Sequence, residues 1–176
     1  MTRQHLARLG GASAIIAALL RALGAVAPVP PESPTAAGLY LVTDVFILLG
    51  LSGWYLTQHE HLRLQGLLGF VFGVVGVALI RSNGSLPGID AYAVGAPLLI
   101  IGLIILAATA WLAGLMPAWV PAALLVAAAL GPLGYLAPSL NALFAASGLA
   151  FSLGFGGVGV YVWRAGVARQ SERFGC

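Results

Sequence analysis

Six long apolar stretches follow one another along this chain, and they constrain its fold more than any other feature. Each has about 20 mostly apolar residues, the length that an α-helix needs to cross the hydrocarbon layer of a membrane. Their approximate bounds are 9–27, 37–57, 64–81, 91–114, 117–137 and 140–163. They are rich in Ala and Leu and lack the alternation of a half-buried β-strand. The sequence therefore predicts an all-α integral membrane protein with six transmembrane helices.

The scarcity of charged side chains points to the same class. Only 7% of the 176 residues are charged, whereas a soluble domain carries about 25%. This number of charges is too small to cover the surface of a soluble protein. It is also too small to form a basic face for nucleic acid, and we therefore expect no nucleic-acid partner. The stretches leave no room for a domain outside the membrane. We predict one transmembrane domain over residues 1–176, embedded in the lipid bilayer of an inner or plasma membrane.

The arginines predict how the six helices are oriented. Those that fall on one side of the membrane are Arg3, Arg8, Arg63, Arg164, Arg169 and Arg173. Because cytoplasmic loops are enriched in Lys and Arg, we expect both termini in the cytoplasm. The aromatic residues agree with this arrangement. The four tryptophans fall at the predicted cytoplasmic interface, and Tyr40, Tyr92 and Tyr135 fall at the outer one.

Two glycine-rich segments suggest an internal repeat. Residues 73–81 and 156–164 both read Gly-x-Val-Gly-Val-x-x-x-Arg. A three-helix unit that is duplicated in tandem must be inverted the second time, as in many transporters. The half-repeats would be residues 1–88 and 89–176. The alternative is a chance match between sequences rich in small apolar residues.

Small residues also predict which helix faces pack inside the bundle. On the third helix they are Gly66, Gly69, Gly73 and Gly76. At helical spacing these four positions fall within an arc of roughly 80°. Such stripes let a neighbouring helix approach closely, so we expect helix packing there, with a dimer interface as the alternative. On the first helix, Ala14, Ala17 and Ala18 predict an inward face opposite Ile16, Leu19 and Leu23.

Two charged residues inside the predicted helices have no role in topology. Arg21 lies near the outer end of the first helix and Asp44 near the outer start of the second. At ~1.5 Å per residue both would lie at the same depth, ~10 Å below the outer surface. We therefore expect an Arg21–Asp44 ion pair, with Tyr40 one turn away as a further donor. The pair is either a ligand site that opens outward or a clamp between two helices.

Other polar residues offer weaker candidates. Arg81, Asp90 and Asn141 would rim the outer end of the bundle. His59 and His61 point apart on a helix, so we expect no metal site. The sequence has no phosphate-binding loop and no nucleophile motif. We therefore expect no cofactor and no catalytic residues.

Three function classes remain open. The first is a structural or accessory subunit that docks onto a protein partner or a second copy within the membrane. The second is a small transporter or ligand-binding protein with an outward polar pocket around Arg21 and Asp44. The third, an intramembrane enzyme, ranks last because no set of acid, base and nucleophile is present. Helices four to six carry no charged residue inside the membrane, which favours the first class over the second.

Overall fold

The structure, a computed structural model, describes residues 3–27, 33–82, 90–136 and 141–174. These described residues form five α-helices: α1 (Arg3–Val26), α2 (Pro34–Arg81), α3 (Ala91–Leu112), α4 (Trp119–Leu136) and α5 (Asn141–Phe174). In this part of the chain α1, α2, α3 and α5 contain apolar segments long enough to cross a membrane, and α4 contains a shorter one. The protein is therefore a helical membrane protein.

The 48-residue helix α2 reverses direction at Arg63. Arg63 has φ 51° and ψ −150°, outside the helical region. The rings of Tyr55 and Phe70 stack with centroids 4.8 Å apart, although a straight helix would separate them by roughly 22 Å along its axis. Residues on the two sides of Arg63 therefore pack against each other. We call residues 34–62 the first arm of α2 and residues 64–81 its second arm.

Several helices extend beyond the ends that the sequence predicts. The first arm continues through His59, Glu60 and His61, whereas the predicted second helix ends at residue 57. Helix α5 runs past the membrane segment to Phe174, because residues 165–174 contain good helix formers. Pro132 lies inside α4. Proline is tolerated within membrane helices because neighbouring groups satisfy the freed carbonyl.

Small residues bring neighbouring helices into backbone contact. Gly10 of α1 lies against Gly53 of the first arm. Ala14 and Ala17 are fully buried, whereas Leu19 is 66% exposed, so α1 turns its alanine face inward as the sequence predicts. Trp54 is also fully buried, and its indole donates a hydrogen bond to a side-chain oxygen of Gln58.

Two interfaces far apart in the sequence share one contact pattern. A Cβ added at Gly95 of α3 would lie 2.8 Å from the carbonyl oxygen of Gly76 and 2.8 Å from the amide nitrogen four residues later. A Cβ added at Gly11 of α1 would lie 2.8 Å from the carbonyl oxygen of Gly159 and 2.7 Å from the amide nitrogen four residues later. The second arm therefore meets α3 with the same geometry that joins α5 to α1.

Candidate functional site

The reversal of α2 brings two charged residues together at one end of the bundle. Asp44 and Arg81 stand at nearly equal distances along the chain from Arg63, so the two arms place them side by side. The Nε of Arg81 donates a hydrogen bond to a carboxylate oxygen of Asp44. The Asp44 side chain is 18% exposed and that of Arg81 is 32% exposed. This half-buried ion pair joins the two arms at the end opposite the turn.

Tyr40 lies beside the same pair. The guanidinium carbon of Arg81 is 5.8 Å from the centroid of the Tyr40 ring, within the range of a cation–π interaction. Arg81 is also in the last turn of α2, where a cation is stabilised by the partial negative charge of the helix end. Arg81 thus has three favourable interactions, with the carboxylate, the ring and the helix end.

Arg21 takes a different position from the one that the sequence suggests. Its guanidinium carbon is 5.8 Å from the ring centroid of Phe144 on α5. Arg21 remains within electrostatic range of Asp44, but Arg81 makes the direct ion pair. The sequence predicts that α1 and the first arm meet at this depth, whereas the direct partner of Asp44 comes from the second arm. The nearly equal spacing of Asp44 and Arg81 from the polar segment around Arg63 is the signal that could have identified the pair.

The outer-rim residues are placed separately. The Asp90 side chain caps α3 by accepting a hydrogen bond from the backbone nitrogen of Tyr92, at 2.9 Å. Asn141 is the first residue of α5, and its side chain lies outside the described part of the structure. Arg81 is paired with Asp44, so the described contacts do not join Arg81 to Asp90.

The glycine stripe lies inside the bundle. Gly66, Gly69, Gly73 and Gly76 are all buried. A Cβ added at Gly69 would lie 3.0 Å from the carbonyl oxygen of Gly102 on α3. Gly66 instead contacts Leu62 near the turn. The stripe therefore packs largely against the chain's own α3.

The described polar residues define what the cluster can do. Arg21 and Arg81 face one carboxylate, so these three residues carry one net positive charge. They offer anion binding or electrostatic clamping. In the described ranges no three His, Cys, Asp or Glu residues are grouped so as to hold a metal ion. The Nδ1 of His59 lies 3.1 Å from the carbonyl oxygen of Leu56 on its own helix.

Comparison of the chain with protein-family models, with curated protein sequences and with solved structures gives no match. The class of the protein therefore follows from its own helices and polar cluster: a helical membrane protein with a half-buried ion pair between the two arms of α2.

Proposed function

We propose that this protein is a structural or accessory subunit of a membrane complex, without catalytic chemistry of its own. One observation carries the proposal: backbone contacts close the described interior, and the single acid within it is already bound by Arg81. An added methyl group would meet backbone atoms at several interfaces, including Gly76, Gly102 and Gly159. Such packing leaves little space for a substrate path between these helices, and it suits a rigid scaffold.

We infer a six-span topology in which the two arms of α2 each cross the membrane. The inference is supported by contacts at one end of the bundle, where Gly11 meets Trp163 and Gly157 meets Trp119. The Arg63 turn follows the part of the first arm that lies against Gly10. This end carries Arg3 and Arg8 of α1 and Arg164 of α5, and the positive-inside rule assigns it to the cytoplasm. Both termini are then cytoplasmic.

The shared contact pattern supports the inverted repeat. The sequence motif aligns Gly76 with Gly159, and the contacts of those glycines align Gly95 with Gly11. The neighbouring contact follows the same correspondence, because Gly73 meets Gly102 where Gly156 meets Ala18. The equivalent contacts favour the repeat over a chance match of composition. The half-repeats would be residues 1–88 and 89–176.

The partner surface would be apolar and lipid-facing. The predicted glycine stripe is buried inside the bundle, largely against α3, so it is not available to a second protein. Large exposed side chains instead face outward from several helices, such as Leu112 at 88%, Leu153 at 65% and Trp119 at 56%. A membrane partner or a second copy would pack on surfaces of this kind, in competition with lipid.

Native mass spectrometry after gentle solubilisation tests the subunit proposal. We expect the chain to leave the membrane bound to other protein chains in a fixed stoichiometry, because its role is to be packed against them. A harsh detergent provides the control, since it should release the monomer. A chain that stays a lone monomer under the same gentle conditions, whether or not lipid remains bound, would contradict the subunit proposal.

A small transporter or ligand-binding protein is the second candidate. Two observations favour it: Arg21 has no direct bond to the Asp44 carboxylate, and inverted repeats are common in transporters. The ligand would be anionic, because the described cluster has an excess of positive charge. If this candidate is correct, Arg21→Gln would lose a retained anionic molecule in native mass spectra, whereas Arg63→Gln would keep it. Equal retention in both variants would exclude this site.

A further inference from the structure

The contact between α1 and α5 creates a groove on the outside of the bundle. Gly11 and Gly159 bring the two backbones together, and a Cβ on Gly159 would lie 2.7 Å from the carbonyl oxygen of Gly11. The side chains beside these glycines differ greatly in size. Ala12 is small, whereas Ile16 and Trp163 are large and exposed. A close crossing flanked by one small and two bulky side chains leaves a depression between the helices.

The groove combines an apolar floor with one charged end. Its volume is about 310 Å³, and its lining residues are Ala12, Ile15, Ile16, Val160, Trp163 and Arg164. Four of these are aliphatic, which suits a hydrocarbon chain. Trp163 and Arg164 are neighbours at the end of the apolar segment of α5. Tryptophan and arginine are typical of the level where lipid headgroups meet the hydrocarbon.

The positive charge at the Arg164 end of the groove favours a lipid with an anionic headgroup. Arg164 is exposed, and its guanidinium can donate two parallel hydrogen bonds to a phosphate. Arg8 of α1 lies close by, since a Cβ on Gly166 would be 3.2 Å from the Arg8 side chain. Basic pockets between membrane helices on the cytoplasmic side bind acidic lipid headgroups. Phosphatidylcholine, in contrast, would bring its choline cation toward the same arginines, which would repel it.

We propose that this groove is a binding site for one anionic phospholipid, with an acyl chain along Ala12, Ile16 and Val160 and the phosphate at Arg164. The Arg164 end of the groove lies at the opposite end of α1 from the Asp44–Arg81 pair. The lining residues of the groove include neither member of that pair. The proposal requires only that the chain lies in a membrane, so it holds whether the protein is a subunit or a transporter.

Native mass spectrometry of the full-length purified chain tests the proposal by titration with two lipids of identical acyl chains. We expect one phosphatidylglycerol to bind with at least about fivefold higher affinity than phosphatidylcholine, because one arginine near a headgroup contributes roughly that factor. Arg164→Gln should lower the ratio by about fivefold while phosphatidylcholine still binds. The matched control is Arg63→Gln, an exposed arginine outside the groove, which should keep the wild-type ratio.

A second pair of variants tests the groove itself. Ala12→Phe fills it and should abolish the preferred site for both lipids, whereas Ala78→Phe, at an exposed position of α2, should not. Circular dichroism and gel filtration verify that each variant is folded. Equal loss of selectivity in Arg164→Gln and Arg63→Gln would overturn the proposal, as would an Ala12→Phe variant that binds like wild type. Displacement of phosphatidylglycerol by inorganic phosphate would show that the site binds a free anion and would also overturn it.

Discussion

The Asp44–Arg81 pair is the most consequential contact at the scale of single residues. An unpaired charge inside a membrane helix costs at least roughly 2.5–3.5 kcal/mol on insertion scales, and pairing offsets part of this cost. Arg81 satisfies the carboxylate from within the same helix element, α2. Because Asp44 and Arg81 come from different arms, the bond also fixes the register of one arm against the other.

Replacing Asp44 should therefore destabilise the bundle. We expect Asp44→Asn to lower the free energy of unfolding by about 1–3 kcal/mol, because Arg81 loses its charged partner in a half-buried position. Denaturant unfolding in micelles, followed by tryptophan fluorescence, measures the change. The matched control is Asp90→Asn, which should be nearly neutral because Asn caps a helix as well as Asp does.

The charge swap separates an ion pair from a general need for polarity at these positions. The double variant Asp44→Arg with Arg81→Asp should recover part of the stability that Asp44→Asn loses, since it restores the opposite charges between the arms. A swapped variant that is no more stable than its single substitutions would show that the ion pair does not hold the arms together.

At the scale of helices, glycine decides where the backbones meet. Side chains at Gly95 and Gly11 have no room, because a Cβ would lie within 2.8 Å of backbone atoms of the facing helix. Backbone atoms cannot rotate away as a flexible side chain can, so the helices must separate to accept even a methyl group. Separation removes dispersion contacts along the whole interface, and those contacts are what holds helices together in lipid.

Gly95→Ala and Gly11→Ala should be similarly destabilising because the two contacts are equivalent. We expect each to cost about 1–3 kcal/mol, the usual cost of overpacking, in the same unfolding assay. Gly38→Ala is the control, since nothing lies within 4 Å of the added Cβ. It should be neutral or stabilising by up to about 1 kcal/mol through helix propensity. Equal responses at all three glycines would contradict the packing account.

At the scale of the whole molecule, hydropathy alone predicts a helical membrane protein. It does not predict which helices contact each other. Apolar length and the absence of charge identify a membrane helix because the bilayer itself imposes that requirement. The partner of Asp44 depends on which helices are neighbours, which no local pattern specifies. The first arm continues to Leu62, beyond the predicted end at residue 57, because the polar residues before Arg63 also form a helix.

The fold-back of α2 supports our proposal that the chain is a six-span bundle with both termini in the cytoplasm. The chain has one cysteine, Cys176, so a Cys176→Ser background permits labelling of single introduced cysteines in intact cells. A membrane-impermeant maleimide should label cysteines at Ala27, Ser82 and Leu136 from outside. Cysteines at His61 and Ala113 should react only after permeabilisation. Labelling of His61 and Ser82 from the same side, or of Ala27 and Ser82 from opposite sides, would contradict the claim.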